Sequence, residues 1–190
     1  KTNDSGKIIF KGDDITREAP AVTARRGFIR SFQISATFPH LTAMENVRIG
    51  LQRKLGTEFQ FWKSEKTLNC LNDEAMALLE SVDLKSFATT VTAEMPYGRK
   101  RALEIATTLA LDPEMMLLDE PTQGMGQEDI ARVVELIRKV SANRTILMVE
   151  HNLSVVSHLC DRITVLTRGS ILAEGSYDDV SKNPQVLEAY

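Results

Sequence analysis

The sequence predicts an α/β fold in which a parallel sheet carries helices on its faces and a helical region interrupts the chain. Three observations carry this prediction. The second half alternates short apolar runs with amphipathic stretches, "MMLLDE", "EDIARVVELIRKVS", "TILMVEH" and "NLSVVSHLCD". That strand–helix–strand–helix order pairs strands in parallel with helices across the sheet. From Leu41 to Asp112 the apolar spacing is helical throughout. Finally, 190 residues with 43% hydrophobic and 26% charged content suit one soluble globular domain.

The elements follow in order. "GKIIFKGDDIT" (Gly6–Thr16) reads as a short hairpin arm, an apolar run followed by Gly12, Asp13 and Asp14 as turn residues. "RRGFIRSFQ" (Arg25–Gln33) reads as a strand with a polar exit. A helix begins at "LTAMENVRIGLQRK", with Thr42 as N-cap and Glu45 three residues on, a capping-box pair. "LNDEAMALLESVDL" places Leu71, Ala75, Leu78, Leu79 and Val82 on one helical face. "RALEIATTLALD" aligns Leu103, Ala106, Leu109 and Ala110, and "EDIARVVELIRKVS" aligns Ile130, Val133, Val134, Ile137 and Val140. "MMLLDE" and "TILMV" are expected to be buried strands. "RITVLTRG" and "SILAEG" form a hairpin split at Gly169 and Ser170.

Composition excludes several classes. A net charge of −3 argues against a general nucleic-acid binder. No apolar run approaches the roughly 20 residues needed to span a bilayer, and Lys1–Lys7 is polar with no signal-peptide core after it. Cys70 and Cys160 lie far apart in no metal-binding spacing and fit reduced, cytosolic thiols. The start at Lys1 and the stop after "PQVLEAY" lead to the expectation of a fragment.

The chemistry gathers at strand ends. Asp119 and Glu120 close an apolar strand, where ligands of open α/β sheets bind. Asp119 could hold Mg²⁺ through water, leaving Glu120 to orient or deprotonate an attacking water. Glu150 and His151 end the next strand, which would bring Asp119, Glu120 and His151 to one rim. A lone histidine is more often a cap or surface residue; in this pairing His151 is suited to contact a γ-phosphate. Gln33 is a further candidate, because an amide can coordinate a cation and hydrogen-bond a water. Gly98, read as lying just ahead of a helix, would leave N–H groups and the positive helix end facing outward, with Arg99, Lys100 and Arg101 adding charge. Spacing alone fits a plain polar helix start equally well.

The ordered set "SFQ", "PYGRKRALEIATTLALDP", "MMLLDEPTQGM" and "LMVEHN" resembles the ATP-binding subunit of ABC transporters over essentially the whole chain. "FPHLTAMENVRIGLQ", "VEHNLSVV" and "ILAEG" are most similar to the ATPases of branched-chain amino acid importers. The resemblance implies a P-loop NTPase (RecA-like) core at 1–40 and 111–190, a helical subdomain at 41–110 and a small antiparallel β arm. It implies ATP and Mg²⁺ as ligands, Gln33 and Asp119 on the metal through water, and Glu120 and His151 as catalytic residues. It also implies a signature motif at Met95–Arg99, with Tyr97, Gly98 and Arg99 contacting nucleotide. The partners implied are transmembrane permease subunits, a second ABC ATPase subunit and, indirectly, a periplasmic binding protein, with no nucleic acid. The location implied is peripheral, at the cytoplasmic face of the inner membrane.

Three departures stand out. The phosphate loop G-x-x-x-x-G-K-[ST] is missing, since the only Gly-Lys is Gly6-Lys7 followed by Ile8. Truncation upstream accounts for this, and predicts a gap in the sheet, marginal stability and exposed apolar surface. Pro96 stands where the family has a serine hydroxyl, and Gly126 where it places an acid or amide. Two other readings remain at this point: a soluble ABC-type ATPase working on nucleic acid or ribosomes, and a non-catalytic docking module.

Overall fold

The computed structural model describes residues 5–30, 37–56 and 65–189. Its first feature is a small hairpin, β1 (Ile9–Phe10) and β2 (Asp13–Asp14). The turn is made by Lys11 (φ 54°) and Gly12 (φ 89°), the left-handed pair that matches strand twist. Asp13 and Asp14 are therefore strand residues and not the turn. The sequence favoured the turn because isolated aspartates usually mark one. Phe10 stacks on Phe28 at 5.2 Å and Lys11 pairs with Glu114 at 2.8 Å, so the arm is pinned to the main sheet.

A short helix unforeseen in the sequence, α1 (Pro20–Arg25), precedes strand β3 (Phe28–Arg30). Proline at the helix start is preorganised for the first turn. β3 therefore begins three residues later than the sequence pattern indicated, and Gln33 lies outside the described residues.

Helix α2 (Ala43–Leu55) starts with the expected capping box: Thr42 Oγ1 accepts from Glu45 N while Glu45 Oε2 accepts from Thr42 N. It ends at Gly56 in the left-handed region. Helix α3 (Asn72–Ser81) and 3₁₀ turns at Glu65–Leu71, Lys85–Phe87 and Thr92–Glu94 lead to α4 (Tyr97–Leu109). The faces read from periodicity are buried: Leu71, Ala75, Leu79 and Val82, then Leu103, Ala106, Leu109 and Ala110, with Leu78 only partly covered. They join Met116, Leu118 and the inner face of α5 (Gln127–Ser141) in one continuous apolar cluster.

Strand β4 (Met115–Asp119) lies between β3 and β5 (Thr145–Val149), all parallel, with Ile29, Met116 and Ile146 in register. Registered residues share a face. Ile29, Met116 and Leu118 are buried and Ile146 and Met148 half-buried, while Leu147 and Val149 are 54% and 61% exposed. β5 is thus not the buried strand expected: its apolar run supplies one covered face and one facing solvent. Helix α6 (Leu153–Leu159) follows, capped by Asn152 Oδ1. β6 (Ile163–Thr167) and β7 (Ser170–Gly175) form a separate antiparallel sheet. Their turn is Arg168–Gly169, both at positive φ, and Ser170 already pairs with Thr167. Two short helices, α7 (Tyr177–Ser181) and α8 (Pro184–Ala189), close the described chain.

Candidate functional site

The carboxyl ends of β4 and β5 converge, and the backbone there accounts for how. Asp119 pairs in register with Val149, and Glu120 N donates to Val149 O at 2.9 Å, extending the strand contact by one residue. Glu120 then turns with φ 44°, a left-handed conformation that costs a non-glycine residue about 1 kcal/mol. The turn aims its carboxylate across to the next strand end, where Oε1 lies 3.3 Å from His151 Nδ1. Glu120 is about three-quarters buried and His151 mostly exposed. A carboxylate and an imidazole at this separation can share or relay a proton, and the exposed ring leaves its other nitrogen open to a ligand.

Glu150 binds the two strand ends together. Its Oε1 accepts from the backbone N–H of Thr122 at 3.2 Å and from the Thr122 hydroxyl. Its Oε2 accepts from His151 N at 3.0 Å and Asn152 N at 3.1 Å. Such a bridge fixes the relative position of the acidic turn and the histidine. Asp119 Oδ2 accepts from Arg30 Nη2 at 2.8 Å, so the end of β3 joins the same rim.

Under the acidic turn lies Arg101, from the second turn of α4, with only 7% of its surface exposed. Its Nε donates to Pro121 O at 3.2 Å and its Nη2 to Asp119 O at 3.1 Å and Glu120 O at 3.4 Å. Its Nη1 donates to Glu104 Oε2 at 2.6 Å, a buried pair one helical turn apart.

The start of α4 departs from the sequence expectation. Gly98 is the second residue inside the helix, not the residue ahead of it, and Pro96 is the N-cap with no side-chain cap bond. Proline's fixed φ lets it open a helix, so the helix begins earlier than the motif's glycine implied. The three cations after Gly98 are engaged within the fold. Arg99 donates to Asp83 O at 3.1 Å and sits over the Phe87 ring, and Lys100 donates to Ala93 O at 2.9 Å. Tyr97 is exposed and its hydroxyl donates to Gln123 O at 3.2 Å. Gly126 is the N-cap of α5, again without a side-chain bond.

The sequence singled out Asp119, Glu120 and His151, and the structure brings them to one rim; Tyr97, Gly98 and Arg99 sit together at the start of α4. Gln33 lies outside the described residues. Arg30 and Thr122 escaped sequence reasoning as parts of the site. In the sequence Arg101 reads only as charge beside Gly98 and Glu150 only as the polar end of β5, and neither is assigned there the contacts it makes with the acidic turn. Among the described residues no group of three or more histidines, cysteines or acids could hold a metal. Asp119 is a hard oxygen donor of the kind magnesium takes and would be one protein ligand at the rim, with its Oδ2 already accepting from Arg30.

A parallel sheet with an acid–histidine rim at its carboxyl ends, beside the start of a glycine-bearing helix, places the chain among the open α/β domains that bind ligands at their strand ends. The chain belongs to the ABC transporter family, whose description it matches over residues 1–123. Residues 170–190 match a second description, "Branched-chain amino acid ATP-binding cassette transporter". It is 32% identical to the high-affinity branched-chain amino acid transport ATP-binding protein BraF of Pseudomonas aeruginosa, over 97% of this chain and 75% of that protein. Identity is 32% to LivG of Escherichia coli K12 over the same shares, and 31% to a probable LivG of Archaeoglobus fulgidus over 98% and 74%. Among solved structures it superposes on the ADP conformation of MJ1267, an ATP-binding cassette of an ABC transporter. The TM-score is 0.82 at 27% identity, over 98% of this chain and 77% of that one. A nucleotide-free ATP-binding cassette from an ABC transporter gives a TM-score of 0.80 at 26% identity, over 100% and 78%. The fold is therefore that of an ABC ATPase cassette. No described helix is long and apolar enough to cross a membrane.

Proposed function

We propose that this chain is the ATP-binding and ATP-hydrolysing part of an importer that takes up branched-chain or related amino acids across the inner membrane. The observation that carries the catalytic reading is the 3.3 Å approach of Glu120 to His151 at the ends of adjacent parallel strands. The relatives' part in branched-chain amino acid transport and the match at residues 170–190 support the substrate class.

In this reading Glu120 orients the attacking water and accepts its proton, while His151 contacts the γ-phosphate from the neighbouring strand. Asp119 and Gln33 would hold Mg²⁺ through water, and the ion would neutralise charge on the transferred phosphoryl group. Tyr97, Gly98 and Arg99 present the start of α4 to nucleotide held by a second ABC subunit. Pro96 offers no hydroxyl and no N–H there, so the contact falls to the N–H groups that follow it.

The division of labour goes with this reading. Residues 1–40 and 111–190 form the catalytic core, and 41–110 form a helical subdomain that docks on permease subunits at the cytoplasmic face. A periplasmic binding protein would deliver the solute to those permease subunits without touching this chain.

The test is Glu120→Gln in the full-length subunit assembled with its permease partners. ATP turnover is expected to fall by about 10²–10⁴-fold, with ATP binding retained. Retained turnover removes Glu120 from the mechanism.

A further inference from the structure

We propose that Arg101 is a positioning residue for hydrolysis: its guanidinium holds the backbone turn that aims Glu120 at His151. The inference rests on the reading of Glu120 given above. Three consecutive carbonyls, of Asp119, Glu120 and Pro121, converge on one guanidinium at 3.1, 3.4 and 3.2 Å. These are the carbonyls of the residues that bracket the left-handed φ of Glu120. A planar fork with donors along two edges can satisfy several carbonyls in fixed directions, which a flexible ammonium cannot do. Glu104 Oε2 holds the remaining edge at 2.6 Å and neutralises the buried charge.

Stability alone is a weak account of this arrangement. A buried Arg–Glu pair recovers its desolvation cost only when its geometry is tight, and apolar residues of similar volume often do as well. What apolar residues cannot do is bind carbonyl oxygens, and here the carbonyls belong to the acidic turn. Arg101 also lies one helical turn from Gly98 on the same helix, so a shift of α4 displaces the carbonyls that set the direction of Glu120. The start of α4 and the Glu120 carboxylate are thereby joined through one side chain.

Single-turnover ATP hydrolysis is measured in the full-length subunit with its permease partners for wild type, Arg101→Gln, Arg101→Lys, Glu120→Gln and the Arg101→Gln/Glu120→Gln double variant. Rates are normalised to molecules that bind a fluorescent ATP analogue, so loss of folded protein does not count as loss of rate. Arg101→Gln is expected to slow hydrolysis by about 10²-fold, as a misplaced catalytic group does, with affinity for the analogue unchanged. Arg101→Lys, which keeps the charge but loses the fork, is expected to fall between. In the Glu120→Gln background, Arg101→Gln is expected to change nothing further, because the group it positions is already gone. A normalised rate equal to wild type for both Arg101 variants overturns the proposal. So does an equal slowing in both backgrounds, which assigns Arg101 to the fold or to some other group. Wild-type turnover in Glu120→Gln removes the reading of Glu120 and this inference with it, whereas a slow Glu120→Gln beside an unaffected Arg101→Gln removes this inference alone.

Discussion

Gly98 has no room for a methyl group. A Cβ built there would meet Asp129 Cγ at 2.6 Å and its two carboxylate oxygens at 2.7 and 2.9 Å. The first turns of α4 and α5 therefore touch at a hydrogen atom and a carboxylate, near the rim that carries Glu120. Gly98→Ala is expected to push the partly exposed Asp129 carboxylate aside. Alanine's gain in helix propensity is set against that movement, so the net loss is expected to be no more than about 1 kcal/mol. Thermal unfolding would register this as a fall of roughly 2–4 °C per kcal/mol at this length. Because the obstacle is one side chain, Asp129→Ala should recover much of the loss in the double variant. Strict additivity of the two changes would show that the clash lies elsewhere. Gly98 stood out in the sequence as a glycine at a helix start, but its neighbour did not. Asp129 sits thirty-one positions further on (129 − 98), and only the packing of α4 on α5 brings the two together. The same applies to Arg101, which read as surface charge in "GRKR" and is buried under a turn formed by another segment.

Where a side-chain cap specifies it, a helix start was legible from the residues next to it, unlike the uncapped starts of α1 and α4. The Thr42–Glu45 capping box of α2 was readable from four residues and formed as expected. Its chemistry also predicts a pH dependence. The N–H and hydroxyl of Thr42 donate to the Glu45 carboxylate and, with Arg48 nearby, hold its pKa below the ordinary 4.5. A depressed folded value means that the carboxylate's contribution is complete above the unfolded pKa. It is lost as pH falls through the lower, folded one. The stability gap between wild type and Glu45→Ala, measured by denaturant unfolding, should be full at neutral pH and shrink below about pH 4. A gap constant down to pH 2 would mean that the carboxylate's charge plays no part. Thr42→Ala removes the hydroxyl cap as well and is expected to cost about 1 kcal/mol at neutral pH. Strands were less legible for a physical reason. A run such as "TILMV" is apolar at every position, so it cannot say which of its faces is covered. That is decided by what packs on the sheet.

At the scale of the whole molecule, burial on the two faces of the parallel sheet is unequal. One face joins the cluster shared with α4 and α5, and the arm covers Phe28 on the other. Beyond Phe28 the second face leaves Leu147 and Val149 more than half exposed, on the strand that runs out into Glu150 and His151. The ordered motifs made the family legible across the chain. The exposure of Leu147 and Val149 was not legible, because it depends on which way β5 is turned. Exposed apolar side chains two residues apart on one face of a strand favour association and the binding of hydrophobic dyes. The double variant Leu147→Thr/Val149→Thr keeps strand propensity while removing two apolar groups from solvent. For the 190-residue chain it is expected to bind less 1-anilinonaphthalene-8-sulfonate and to stay monomeric at higher concentration. Its unfolding free energy should change by no more than about 0.5 kcal/mol per site, as for substitutions outside a core. Unchanged dye binding would place the accessible apolar surface elsewhere. A loss of several kcal/mol would mean that β5 is covered on both faces in solution, returning it to the buried strand its sequence resembles.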